Sequence, residues 1–123
     1  MANEITISAS LAFTKGGVGS SLSDSALQFD VSGTDYVQGT QNVGFASDEA
    51  LGLGDAGAGI TPGYCYIKNT DATNFVNIFG ATGETATIKL KAGEVALFRF
   101  AAAAPTLQAD TGAVMIDYLL IED

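Results

Sequence analysis

The sequence predicts an all-β fold, an antiparallel β-sandwich of one domain. Three observations predict it. Apolar residues recur with a period of two along most of the 123 residues. Glycine-containing turn clusters punctuate these runs at about ten-residue spacing, as in sandwiches and jelly rolls. No segment keeps a helical period for longer than two turns. Together they give roughly seven to nine short strands, with no linker to divide them.

Ile5, Ile7, Ala9, Leu11 and Phe13 alternate with Thr6, Ser8, Ser10 and Ala12, which reads as a half-buried strand. Lys15-Gly16-Gly17-Val18-Gly19-Ser20-Ser21 breaks it. Leu27, Phe29 and Val31 form a second alternation, closed by the turn cluster Ser32-Gly33-Thr34-Asp35. Residues 36–41 read as a third strand weakened by Gly39. Residues 43–45 and 50–53 are ambiguous, and 52–63, with five glycines and Pro62, read as a long loop.

The second half is clearer. Tyr64-Cys65-Tyr66-Ile67-Lys68-Asn69 is aromatic and β-branched. After the polar turn 69–74 it is expected to return through Phe75-Val76-Asn77-Ile78-Phe79 as a hairpin. Residues 85–90 and 95–100 flank Lys91-Ala92-Gly93-Glu94 and predict a second hairpin. Ala101 to Ala104 suit one helical turn, stopped by Pro105. In the last strand, Val114, Ile116, Tyr118 and Leu120 alternate with Met115, Asp117, Leu119 and Ile121. Both faces are apolar except at Asp117, which predicts a central strand or one covered on both sides.

Composition excludes several functions. Apolar residues make up 47 %, too many for a disordered chain. No apolar run approaches the ~20 residues of a membrane helix, and no signal peptide is visible. The 5 Lys and Arg against 14 Asp and Glu give a net charge of -9. Lys15, Lys68, Lys89, Lys91 and Arg99 do not cluster, so neither nucleic acid nor an anionic membrane is an expected partner. Charged residues are only 15 % of the chain, against roughly 25 % in ordinary domains. Neutral polar residues or a partner must cover much of the surface.

Candidate chemistry is sparse. Gly52-Leu53-Gly54-Asp55-Ala56-Gly57 matches the letters of a dinucleotide fingerprint, but no helix follows to meet a pyrophosphate. With no His and one Cys, the usual ligands of zinc, copper and iron are missing, so no metal or cofactor is expected. Asn69, Asp71 and Asn74 are the best oxygen grouping for calcium, and turn formation explains the same residues better. Cys65, between two tyrosines in a strand, reads as an inert buried thiol. Asp48 and Glu49 point to opposite faces if extended, and Glu84 and Glu94 lie apart, so no carboxylate pair is set for glycoside hydrolysis. No catalytic residue is assigned and no enzyme is expected. Tyr36, Tyr64, Tyr66 and Tyr118 are the available platforms for a sugar, although such residues more often fill a core or an interface.

Three blocks carry a resemblance: Gly63-Tyr64-Cys65-Tyr66-Ile67-Lys68-Asn69-Thr70-Asp71, then Ile88-Lys89-Leu90-Lys91-Ala92-Gly93-Glu94-Val95-Ala96-Leu97-Phe98-Arg99, then Tyr118-Leu119-Leu120-Ile121-Glu122-Asp123. Over the C-terminal half, the chain resembles small capsid decoration, or cement, proteins of tailed bacteriophages. The resemblance implies a jelly-roll-like domain over 1–123, located on the capsid surface of a virion assembled in the host cytoplasm. It implies the major capsid protein as partner, a homo-oligomer, expected as a trimer, and stabilisation of the head by bridging capsomers. Residues 1–14 are then an interacting strand or arm, with Ile5, Ile7, Leu11 and Phe13 as capsid or subunit contacts. The plainer reading makes the same residues the first strand of the subunit's own sheet. Two other function classes fit the residues: a phage tail, baseplate or fibre component with a host-glycan-binding role, and a non-viral β-sandwich binding module.

Overall fold

The computed structural model describes residues 3–52, 61–101 and 105–123. Every regular element among the described residues is a strand, and every strand pair is antiparallel, as the alternation predicts. Most of the glycine-rich loop, residues 53–60, and all but Ala101 of the helical turn expected over Ala101 to Ala104 lie outside the described residues. The chain gathers into two compact units, Met1–Ser32 and Gly33–Asp123, where one domain is the expectation from sequence.

The first unit holds β1 (Ile5–Lys15) and β2 (Val18–Phe29), which form a two-stranded sheet. The second holds β3 (Tyr36–Val43), β4 (Glu49–Ala50), β5 (Pro62–Asn69), β6 (Val76–Phe79), β7 (Ile88–Leu90), β8 (Val95–Arg99), β9 (Thr106–Ala109) and β10 (Val114–Glu122). These make two four-stranded sheets, ordered β3-β10-β5-β8 and β4-β9-β6-β7. The pairs β3·β10, β4·β9, β5·β8 and β6·β7 are nested, as if one long hairpin had been folded over on itself.

Alternation explains the core. Val43, Cys65, Ile67, Val114, Ile116, Tyr118 and Leu120 point inward from one sheet, and Val76, Ile78, Leu90, Leu107 and Ala109 from the other. They form one buried cluster with Leu51 and Phe100, an arrangement consistent with a β-sandwich. The last strand is central, between β3 and β5, as its two apolar faces predict. Its outer side is only partly covered, with Met115 43 % exposed.

Both hairpins expected in the second half are corrected. β5 pairs with β8 and β10, whereas β6 pairs with β7 and β9 in the other sheet. The turns at 69–75 and 91–94 are therefore arches that carry the chain between sheets. The reason is Asn69, which is fully buried. Its side-chain amide donates to the carbonyls of Asn74 (2.9 Å) and Leu90 (3.0 Å). Its backbone N–H donates to the Glu94 carbonyl, and its own carbonyl accepts from the Gly93 N–H. One carboxamide thus ties two arches together, and both are held away from hairpin closure. Gly93, at φ +82°, sits in the left-handed conformation this second turn needs.

A candidate interaction surface

The β1–β2 ribbon starts from a turn. Lys15 and Val18 face each other, and Gly16 and Gly17 between them take φ +60° and +82°. Two consecutive left-handed residues define the primed turn that matches the twist of a hairpin. The segment expected to break the strand therefore folds it back at once. Gly19 to Ser25, with little apolar character, join the ladder through their backbones, which need no apolar side chain.

Cross-strand pairing sorts the side chains. Ile5 lies opposite Phe29, Ile7 opposite Leu27, Ala9 opposite Asp24, Leu11 opposite Leu22, Phe13 opposite Ser20 and Lys15 opposite Val18. Paired residues share a face, so these side chains form one largely apolar surface. Thr6, Ser10, Ala12 and Thr14, with Gln28, Ser23, Ser21 and Gly19, make the polar reverse.

This sorting requires a bulge. Leu22 and Leu27 are five residues apart and would point to opposite faces of a regular strand. Between the pairs Ile7/Leu27 and Ala9/Asp24, Ser25 and Ala26 stand opposite Ser8 alone. Ala26 takes φ +56°, and its N–H donates to Ser8 Oγ at 3.1 Å. The inserted residue restores the parity, so both leucines reach the same side. At the open end, Asn3 N–H donates to Asp30 and Val31 N–H to Glu4, fastening the two strands.

The four contact candidates, Ile5, Ile7, Leu11 and Phe13, all lie on this apolar face. They differ in cover. Ile5 is buried and Ile7 half-buried, whereas Leu11 is 76 % and Phe13 53 % exposed. Val18 and Leu22, which sequence reasoning missed, are 64 % and 78 % exposed. The signal for them was the Gly-Gly pair, a two-residue hairpin loop. β1 pairs with β2 alone, so it is not the first strand of either four-stranded sheet.

A second surface is the outer face of the β3-β10-β5-β8 sheet. Leu119 sits between Gln38 and Tyr66, and Tyr66 lies opposite Leu97. Tyr64 packs under the Arg99 guanidinium at 4.5 Å, while Arg99 pairs with Asp123 at 2.9 Å. The guanidinium is held further toward its charged form by hydrogen bonding to Asp123. Of the four tyrosines, Tyr118 faces inward, donates to the Gly52 carbonyl at 2.7 Å, and has its pKa raised by burial.

Other candidate groups serve architecture. Burial pushes the Cys65 thiol up to about 12, so it stays protonated at neutral pH. The Asp71 carboxylate accepts from the N–H groups of Asn74 (2.7 Å) and Thr73 (2.9 Å), which lower its pKa. Asn69 Oδ1 accepts from Asp71 N–H, so the grouping considered for calcium builds the turn. Asp48 accepts from Gly83 and Thr106, Glu49 from Gly44, Glu94 from Lys91, and Glu122 from Thr34 and Asp35. Much of the acidic content thus fastens loops to strands. Gly52, at the head of the fingerprint segment, already gives its N–H to Gln41 at 2.7 Å, and Leu53 to Gly57 lie outside the described residues. Among the described residues no cluster of three or more His, Cys, Asp or Glu is placed to hold a metal.

Comparison with known proteins gives no matching family model, no matching curated protein and no matching solved structure.

Proposed function

We propose that this chain is a virion structural protein, a capsid decoration protein that binds the outer surface of a phage head and bridges capsomers. The observation that carries the reading is the long ribbon whose apolar face stays uncovered toward its tip, a surface made to be buried against something else. The sequence resemblance supports the same reading, and its blocks meet in space. Asn69 of the first block clasps Gly93 and Glu94 of the second through paired backbone hydrogen bonds. The nested strand order supports a jelly-roll-like β-sandwich, since two four-stranded sheets rolled from one folded hairpin are that topology.

The mechanism is mechanical. Bound only to the mature lattice, the protein stabilises that lattice by mass action. As a homo-oligomer, with three copies as the expected number, it multiplies weak contacts through effective concentration. Purified protein added to expanded heads prepared without it is expected to bind saturably and to raise the temperature at which the heads open. Heads that neither take up the protein nor gain thermal stability would refute the role.

A second reading, a tail or fibre part that holds host glycan, draws on Tyr36, Tyr64 and Tyr66 on one outer sheet face with Arg99 above Tyr64. A glycan array separates the two: glycan binding lost in Tyr66→Ala favours the second.

A further inference from the structure

The largest uncovered apolar side chains of the first unit are gathered in the half of the ribbon nearest its turn. Leu11, Phe13, Val18 and Leu22 are 76, 53, 64 and 78 % exposed, against 39 % for Leu27 and Phe29 farther back. These four expose on the order of 500 Å², as much as the largest patch of a typical monomer. Two such faces together bury roughly 1,000 Å², the size at which specific interfaces begin.

We propose that this distal half docks on the same half of a second copy of the chain, face to face and antiparallel about a two-fold axis. From base to tip the rows of the face read Ala9/Asp24, Leu11/Leu22, Phe13/Ser20 and Lys15/Val18. A half-turn about an axis between the two middle rows reverses that order. β1 then lies over β1 and β2 over β2, so Phe13 meets the other copy's Leu11 and Leu22 meets its Ser20. At both ends the Ala9/Asp24 row meets the Lys15/Val18 row, and each Lys15 reaches the other copy's Asp24. Two reciprocal ion pairs then bracket an apolar centre, which fixes register as well as adding attraction. Neither Lys15 nor Asp24 has an ion-pair partner within its own chain among the described residues. Lys15 is one of only 5 Lys and Arg in the sequence, and it stands where self-complementarity needs it. The pattern is complementary to its own half-turn image, which is what a contact between identical copies requires.

The contact and the proposed capsid binding draw on the same ribbon face, so the test is made in solution without capsids; a two-fold contact joins whole oligomers as readily as single chains. It is tested on the full chain by sedimentation velocity over a range of concentrations, with circular dichroism confirming that each variant folds. Wild type is expected to show a reversible association step. Lys15→Glu and Asp24→Lys, each alone, are expected to weaken it at least tenfold, and Leu22→Asp to abolish it. Mixing the two charge variants in equal amounts is expected to restore it, because every end of the contact then carries opposite charges. The double variant K15E/D24K is expected to associate like wild type. Single charge variants that associate as wild type does, or a mixture that restores nothing, overturn the proposal. Wild type that shows no association step also overturns it, whether or not the protein saturates expanded heads.

Discussion

β1 and β10 carry the same sequence signal and meet opposite fates. Both alternate apolar and polar or mixed residues over nine or more positions. In β10 the inward residues Val114, Ile116 and Leu120 are fully buried, because a second sheet faces them. In β1 the equivalent residues Leu11 and Phe13 stay more than half exposed, because the strand pairs only with β2. Period two states which residues share a face; it does not state whether the chain itself supplies the cover.

The comparison is broken most forcefully from the buried side. Ile67→Ala removes a fully buried side chain from the central cluster and is expected to cost about 2–5 kcal/mol in chemical denaturation. Asn69→Ala leaves the Asn74 and Leu90 carbonyls without their donor and is expected to cost roughly 1–3 kcal/mol. It should also loosen both arches, seen as faster amide exchange at Gly93 and at the backbone N–H of position 69. Leu22→Ala trims a residue 78 % exposed. Stability of the unassociated chain should then move by no more than about 0.5 kcal/mol. A large loss there would mean the ribbon face is already covered.

The smallest effect is electrostatic. Hydrogen bonds from Asn74 and Thr73 hold Asp71 below its ordinary value of 3.8. Its contribution to stability is complete above 3.8 and is lost as pH falls through the lower folded-state value. Asp71→Asn removes that titration, so its stability curve should run flatter than wild type below about pH 3.8.

Much of the sandwich was legible from residues, and the connections were not. The inward residues of β5 and β10 follow from alternation alone. The segments 69–74 and 91–94 read as turns from their residues, but Asn, Asp and Gly chemistry is the same in a hairpin and in an arch. What separates them is the buried Asn69 amide, whose Leu90 partner is 21 residues away. In the ribbon, the one-sided apolar face depends on Ala26 at φ +56°, a conformation that alanine does not announce. The four contact candidates could be named because they alternate along one strand; Val18 and Leu22 follow only when Gly16-Gly17 is read as a two-residue turn, and Leu27 needs the bulge as well.

The place of β10 between β3 and β5 also bears on how the chain is made. β3 has β10 as its one neighbour in the first sheet, so that pairing waits for the strand that comes latest among those described. Until then β3 and β5 wait with open edges, and the lining from Val114 to Leu120 is missing. Assembly of this unit therefore rests on long-range pairing, the kind that slows folding.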